Sequence, residues 1–335
     1  MAPLPRATDD RGMTSPSLAT GTIVVAVDGS QHAQRAVSWA AEQAHLERRP
    51  LLVAHAAGEG DVRSAGWVGL AGTAPIEVPD LLRSSQHVVD DAVDLALHLR
   101  PDLEVRRHLV LGDPRQVLVD LADHAHLVVI GSHGRGVFRS ILLGSVSAAV
   151  ARAAACPVVV CRPTPADATL RGVVVGADGS PESQVVLEFA FQQASLRRLP
   201  LTVVRTFWDA RAVAPGYDAA LEADPELDEL RRLLAESAAG LSEKYPDVPV
   251  TLRLAHGLVD QALSALAEDW GLVVVGRQPI GSLRRIVGGS VAIAVLERAR
   301  CTVAVVPEPE ATEPEATEPE STAAGPGAGD RTAGS

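Results

Sequence analysis

Short runs of apolar, mostly β-branched residues recur along the chain and alternate with stretches of helical periodicity. In the first half the apolar runs lie at 23–27, 51–55, 105–111, 127–130 and 158–161. Apolar residues at helical spacing fill 84–99, and 227–241 carries the same pattern later in the chain. This alternation predicts an α/β fold in which parallel strands are joined by right-handed crossovers. Helices should cover both faces of a doubly wound sheet.

The pattern occurs twice. The stretch VVAVDGS at 24–30 returns as VVGADGS at 174–180, an offset of 150, and from Gly112 and Gly257 onward the offset is 145. A repeat of this length predicts two copies of one domain. We expect the domains at 22–163 and 172–307, with a proline-containing linker at 164–171. Disordered tails are expected at 1–21 and 308–335, the second of them acidic and without aromatic residues.

A glycine spacing follows the fourth apolar run in each copy. It reads G-x2-G-x9-G-S over 131–145, and G-x2-P-x9-G-S over 276–290. Each copy precedes an alanine-rich helical stretch, so the segment is interpreted as strand, glycine loop and helix N-terminus. Glycine lets a ligand approach the backbone closely, and the helix start adds unpaired N–H donors. The pattern therefore predicts a phosphate-binding loop, which is intact only in the first copy.

Proline replaces the second glycine of the later loop. Pro279 lacks a backbone N–H and fixes φ, so one phosphate donor is lost there. We therefore expect the first domain to bind phosphate more tightly than the second.

Charge and composition argue against several classes of function. The formal net charge of −12 includes six glutamates between 308 and 320, so the predicted domains are only mildly acidic and a nucleic-acid surface is not expected. The apolar stretch 141–161 is interrupted by Arg152 and Pro157, and is interpreted as a helix and a strand rather than a membrane span. The first 21 residues carry no apolar segment typical of a secretory signal.

The cysteines and histidines give no metal pattern. Cys156, Cys161 and Cys301 form no CxxC or Cys/His zinc spacing. They are interpreted as buried, reduced thiols, which favours a cytoplasmic protein. A Walker-type site is excluded because the single lysine of the chain, Lys244, lies in neither glycine loop.

An aspartate after the first strand, together with the G-x2-G-x9-G-S loop after the fourth, resembles the universal stress protein family. The run GSHGRG at 131–136 is especially similar to the loop of that family. The resemblance covers about residues 22–163 and 172–307, and it implies a tandem member. Each domain would hold a five-stranded parallel sheet in the order 3-2-1-4-5. It further implies frequent dimerisation and, for a subset of members, ATP binding with or without Mg²⁺.

The resemblance also assigns site residues. Aspartate contacts the adenosine, the residue after strand two offers its backbone to the adenine, and the loop holds the phosphates. In the first domain these are Asp28, Ala56, Gly131, Gly134, Arg135, Gly144 and Ser145, with Arg139 as a further cation nearby. In the second domain, where binding is expected to be weaker, they are Asp178, Thr206, Gly276, Gly289 and Ser290.

Three functions remain open on the sequence. The first, favoured by the intact loop, is an ATP-binding regulator in a stress response. The second is an interaction module that keeps the fold without nucleotide, since Asp-Gly-Ser is also an ordinary turn into a helix. The third is an enzyme on a related adenine-nucleotide scaffold, for which no second-substrate region is evident. Slow ATP hydrolysis is the most that is expected, with Asp28, Asp113 and His133 of the first copy as the acid–base candidates. No catalytic residue and no structural metal are assigned.

The fifth apolar runs, 158–161 and 303–306, are predicted sheet edges. An exposed edge favours pairing with another strand. We expect either a homodimer through these edges or a pseudo-dimer in which the two domains of one chain pair with each other.

Overall fold

The structure is a computed structural model that describes residues 19–58, 78–134, 143–163, 172–207, 227–266, 270–278 and 291–310. The first half contains β1 (Ile23–Ala26), α1 (Gln31–Glu47), β2 (Leu51–Ala57), α2 (Val78–Leu99), β3 (Val105–Leu111), α3 (Pro114–Ala122), β4 (Leu127–Gly131), α4 (Ser145–Ala153) and β5 (Val158–Cys161). The second half contains β6 (Val173–Gly176), α5 (Gln184–Arg197), β7 (Leu201–Phe207), α6 (Asp228–Lys244), β8 (Val250–His256), α7 (Val259–Leu266), β9 (Leu272–Arg277), α8 (Val291–Arg298) and β10 (Val303–Pro307).

All ten strands form one sheet, in the order β3-β2-β1-β4-β5-β10-β9-β6-β7-β8. Within each half the strands are parallel and follow the predicted order 3-2-1-4-5. The α/β, doubly wound fold predicted from the apolar runs is therefore confirmed. The helix predicted to start at 84 begins earlier, at Val78, and the one predicted from 227 runs from Asp228 to Lys244.

The two halves meet at their fifth strands. β5 and β10 pair in antiparallel fashion, with Val303 opposite Val160 and Val305 opposite Val158. We call this junction the seam. All residues of β5 are buried, as are Val303 to Val306 of β10, so the seam is part of the hydrophobic core. Of the two arrangements expected from the apolar edges, the chain adopts the internal pairing.

Helices cover both faces of the sheet. Buried residues of α1, α2, α5 and α6 pack on one face, and those of α3, α4, α7 and α8 on the other. Each of the two core clusters contains residues of both halves. The sheet is thus buried on both faces, as its nearly continuous apolar strands require.

The Asp-Gly-Ser turns are formed in the same way in both halves. Gly29 and Gly179 have φ values of 77° and 79°, which a residue with a side chain rarely adopts. Ser30 then accepts the N–H of Ala33 and caps α1. Ser180 caps a 3₁₀ turn at Pro181–Ser183, and α5 starts only after that turn.

No helix in the described ranges is both long and apolar enough to span a membrane. The predicted linker at 164–171 and most of both predicted tails lie outside these ranges.

Candidate functional site

The order of strands reverses between β1 and β4 in the first half, and a crevice opens there at the carboxyl ends of the strands. Asp28 follows β1 at this edge. Its Oδ1 accepts the N–H of Ser30 at 3.0 Å, which fixes the turn into α1. The carboxylate is therefore held at the crevice by the local backbone.

The first two glycines of the loop allow close approaches at this edge. At Gly131 the Cβ of another residue would lie 2.8 Å from the backbone carbonyl of His32 in α1. At Gly134 a Cβ would lie 2.6 Å from Oδ2 of Asp28. The backbone at Gly134 thus lies so close to the Asp28 carboxylate that a side chain would have no room. The structure brings these two predicted site residues together.

The ends of the glycine loop are joined to each other. Gly144 N–H donates to the carbonyl of Ser132 at 2.9 Å, and the buried Ser147 hydroxyl donates to the carbonyl of Gly131 at 2.7 Å. A Cβ at Gly144 would lie 3.1 Å from the Ser132 carbonyl oxygen. These contacts hold the start of α4 beside the end of β4.

The N-terminus of α4 is a potential anion site. Its N-cap residue, Gly144, provides no side-chain cap, so the first N–H groups of the helix receive no such acceptor. Ser145 begins the helix and is exposed. Its hydroxyl accepts from Arg115 Nη2 at 3.2 Å, which brings a guanidinium of α3 to the helix start. A phosphate at this position would meet backbone donors, a hydroxyl and a cation.

A serine and two histidines lie beside the same loop. The buried Ser132 hydroxyl is 3.2 Å from Nδ1 of His32 and 3.1 Å from Nδ1 of His133. Burial lowers the pKa of His32, and the positive charge of Arg35 lowers it further. His32 is therefore largely neutral at pH 7. The cluster is confined to the first copy, because Arg277 and Gln278 stand where the second copy would need Ser132 and His133.

Ala56 lies in β2, just beyond the part of that strand that pairs with β1. β1 pairs with β2 only as far as Ala26 and Ala54, and the Ala54 carbonyl accepts from Val27 N–H. In a strand the N–H and C=O groups of every second residue point to the same side. Those of Ala56 therefore point to the same side as the Ala54 carbonyl, toward the space beyond the end of β1. Thr206 has the equivalent position in β7, two residues beyond Val204, whose carbonyl accepts from Ala177 N–H.

Several residues with predicted roles prove to have structural ones. Asp113 caps α3 by accepting the N–H of Arg115 at 2.9 Å. His55 is buried, and its Nδ1 donates to the Val27 carbonyl. Arg135 and Arg139 lie outside the described residues. Within the described ranges no group of three or more His, Cys, Asp or Glu side chains could hold a metal ion.

The three thiols are buried and form no disulfide. Burial raises the pKa of both Cys156 and Cys301 to about 12, and it raises the pKa of Cys161 as well. They are protonated near neutral pH, which makes them poor nucleophiles.

The crevice of the second half contains a carboxylate. Oε1 of Glu308 occupies the space that a side chain at Gly276 would need, and Glu308 N–H donates to the carbonyl of Arg277 at 2.9 Å. Asp178 follows β6 and accepts the N–H of Ser180 at 2.9 Å, as Asp28 does in the first half. The start of the predicted acidic tail thus lies at the end of β9.

The cation of the first site is also missing from the second. Asp260 of α7 stands at the position equivalent to Arg115, and it forms an ion pair with Arg298 of α8. Pro279, Gly289 and Ser290 lie outside the described residues. Among the described residues, the position that Arg115 takes in the first crevice is thus taken in the second by an aspartate paired with an arginine.

Sequence reasoning missed Arg115, His32 and Glu308 as neighbours of the two crevices. Arg115 had one usable signal: the Gly112-Asp113-Pro114 turn directs the following helix start toward the same sheet edge as the loop. Glu308 had none, because it begins a segment whose composition indicates a solvated tail.

Comparisons with known proteins agree with this architecture. The family model described as the universal stress protein family matches residues 20–162 and 169–307. A universal stress protein of Mycobacterium tuberculosis is 37% identical over 301 residues, which cover 84% of this chain and 96% of the relative. A second one from that species is 34% identical over 301 residues, covering 85% and 96%.

Among solved structures, a universal stress protein from Archaeoglobus fulgidus superposes with a TM-score of 0.61 at 16% identity, covering 86% of this chain and 96% of that one. This likeness concerns the fold. The family model matches both halves separately, and the relatives align over nearly their whole length. The chain therefore belongs to the universal stress protein family.

Proposed function

We propose that the chain is an adenine-nucleotide-binding universal stress protein whose principal site is the crevice of the first half. ATP, with or without Mg²⁺, is the proposed ligand, and nucleotide occupancy is proposed to regulate the protein in a stress response. The cytoplasm is its proposed compartment, in keeping with three buried, unoxidised thiols.

One observation carries the proposal: the glycine loop passes over Asp28 and ends at an uncapped helix N-terminus beside a guanidinium. The proposed phosphate site and the carboxylate proposed to contact the nucleoside thereby lie at the same edge of the sheet. The donor set fits a polyphosphate, since backbone N–H groups, Ser145 and Arg115 all offer positive or donor character. Asp28 and the backbone of Ala56 are left for the ribose and the adenine.

We propose that the two halves are unequal, with tighter binding in the first. In the second half Asp260, paired with Arg298, stands where the first half has Arg115, and the Glu308 carboxylate takes up space beside Gly276, so the second crevice lacks that phosphate donor. The substitution of proline at 279 adds to this difference, because it removes one backbone donor.

We propose no dedicated catalytic activity. Asp113 is engaged as a helix cap, and the sequence lacks a Walker lysine. His133 and Ser132 would support at most slow hydrolysis, which a phosphate-release assay on the purified chain would measure.

Calorimetric titration of the full chain, stripped of nucleotide by unfolding and refolding, tests the site. The wild type should bind ATP with high affinity at one site. Arg115→Ala should weaken ATP by about tenfold, because a charge-assisted hydrogen bond to a phosphate is lost. The same variant should bind adenosine as the wild type does. Asp28→Ala should weaken both ligands.

Asp178→Ala provides the matched control in the second half, and it should leave the high-affinity site unchanged. Equal losses in Asp28→Ala and Asp178→Ala would contradict the proposed asymmetry. Failure of the wild type to bind any adenine nucleotide would reject the proposal and favour the interaction module.

A further inference from the structure

The Ser132 hydroxyl lies between two histidine rings of the first crevice. It is 3.2 Å from Nδ1 of His32 on α1 and 3.1 Å from Nδ1 of His133 in the glycine loop. A hydroxyl has one proton, so it can donate to only one of these nitrogens and must accept a proton from the other. The centroids of the two rings are 5.2 Å apart. A change of protonation in one ring therefore affects the other, both directly and through Ser132.

His133 borders the proposed phosphate site. A Cβ at Gly144, the N-cap residue of α4, would lie 3.4 Å from the Cα of His133. The next residue of the loop is Gly134, whose backbone adjoins the Asp28 carboxylate. The backbone of His133 thus lies between the helix N-terminus and the aspartate. A phosphate bound at the start of α4 would be within reach of its imidazole.

One nitrogen of His133 lacks a partner. Its Nε2 is buried, and none of the described residues forms a hydrogen bond with it. Leaving a buried polar atom unpaired is unfavourable, so most such atoms are paired in folded proteins. A phosphate oxygen would supply the missing acceptor whenever this nitrogen carries a proton.

The surroundings of His32 decide which ring holds an added proton. The charged and titratable groups that act on His32 come from α1, the glycine loop and the turns after β1 and β5, and they are Arg35, His133, Asp28 and Arg162. Burial has the largest effect and lowers the pKa of His32. Positive charge, above all that of Arg35, lowers it further, whereas Asp28 raises it. A proton taken up by the pair is therefore better placed on His133 than on His32.

The second half does not repeat this cluster. The residues at the positions equivalent to His32, Ser132 and His133 are Glu182, Arg277 and Gln278. Histidine is the side chain whose ordinary titration range includes neutral pH. The titrating pair is thus specific to the first half rather than a consequence of the shared fold.

We propose that His133 is a phosphate-binding residue of the first crevice, and that a polyphosphate binds there together with a proton from solvent. In the bound state Ser132 donates to Nδ1 of neutral His32 and accepts from Nδ1 of His133. Nε2 of His133 carries the added proton and donates to a phosphate oxygen in a charge-assisted hydrogen bond. This inference rests on the proposed function, because it concerns the same site. Nucleotide affinity should therefore rise as pH falls through the titration range of histidine.

Calorimetric titration of ATP into the full chain at about pH 8 and at about pH 6 tests this coupling. ATP itself titrates in this range, but it does so equally for every variant. On going to the lower pH, the wild type should gain about tenfold more in affinity than His133→Gln, which introduces the residue of the second half. Buffers of different ionisation enthalpy should show that the wild type takes up more protons than this variant. His124→Gln removes an exposed histidine before the start of β4 and should behave as the wild type.

Adenosine separates a phosphate contact from a structural role. It lacks phosphates and should bind to the wild type and to His133→Gln alike at both pH values. Equal losses of adenosine and ATP in this variant would make His133 structural and would overturn the inference. An unchanged pH dependence of ATP binding in His133→Gln would also overturn it, while leaving the proposed function in place. A wild type that binds no adenine nucleotide would reject the proposed function and the inference together.

Discussion

At the scale of single residues, Gly131 and Gly134 belong to one loop but are glycine for different reasons. A methyl group at 131 would collide with the backbone of α1, which cannot move without shifting the helix. Among the described residues, a methyl group at 134 would meet the carboxylate of Asp28, which can rotate away. The first glycine therefore serves the fold, whereas the second serves the position of the Asp28 carboxylate, which we propose binds the nucleoside.

Alanine substitutions should separate these two roles. Gly131→Ala should lower the free energy of unfolding by about 1 to 3 kcal/mol, since overpacking strains the backbone. Gly134→Ala should change it by no more than about 0.5 kcal/mol, as is usual for an exposed site. ATP affinity of Gly134→Ala should nevertheless fall by about tenfold, because Asp28 is displaced. Denaturant unfolding and calorimetry provide the two measurements, and a stable Gly134→Ala that keeps full affinity would contradict the assignment.

At the scale of elements, apolar patterning was sufficient to predict every strand of the first half to within two residues at either end. Runs such as Val158–Cys161 are buried on both faces, and no other element accommodates such runs so well.

Contacts between distant elements were not predictable in the same way. Arg115 meets Ser145 across 30 positions, and the Glu308 carboxylate reaches Gly276 from a segment that looks solvated. Such contacts depend on where helices end in space, which periodicity does not encode.

A buried carboxylate joins α1 to the start of β4. Glu47, whose side chain is 4% exposed, lies 2.8 Å from His126 Nε2 and 2.9 Å from Arg49 Nε, and accepts from Gln43 at 2.6 Å. Burial alone would raise the pKa of Glu47. The hydrogen bond and charge of His126, with help from Gln43 and Arg49, outweigh burial and lower it below the ordinary value of 4.5. The charged form is thus the stabilising one.

Glu47→Gln should lower the free energy of unfolding by about 3 kcal/mol at pH 7, because breaking a buried pair leaves its partners unmatched. As pH falls below 4.5, the unfolded chain takes up the Glu47 proton before the folded chain does. Wild-type stability should therefore fall toward that of the variant as pH passes through the folded pKa. Unfolding curves from pH 7 to pH 3 measure this. Glu104→Gln, in an exposed pair with Arg106, should change stability by less than about 1 kcal/mol.

At the scale of the whole molecule, the two halves are similar but not interchangeable at the seam. Gln43 of α1 and Gln193 of α5 are equivalent and fully buried, and Arg197 donates to both at 2.6 Å. The equivalent of Arg197 is Glu47, which accepts from Gln43. Burial lowers the pKa of Arg197 to about 10, despite the opposing charges of Glu42 and Glu47, so it remains cationic at pH 7. Equivalent positions thus carry opposite charges in the two halves.

This charge difference should make the halves prefer each other to themselves. A pair of first halves would bring two copies of Glu47 near the seam without Arg197, and a pair of second halves would bury two copies of Arg197. Co-expressed fragments 19–163 and 172–310 should therefore form a one-to-one complex rather than two homodimers, as measured by native mass spectrometry.

Arg197→Glu should reduce the mixed complex by about tenfold or more, since it replaces a buried hydrogen-bonded cation with a repelling anion. Arg253→Glu, at the far edge strand β8, should leave it intact. A statistical mixture of mixed and identical pairs would show instead that backbone pairing of β5 with β10 governs assembly without regard to charge.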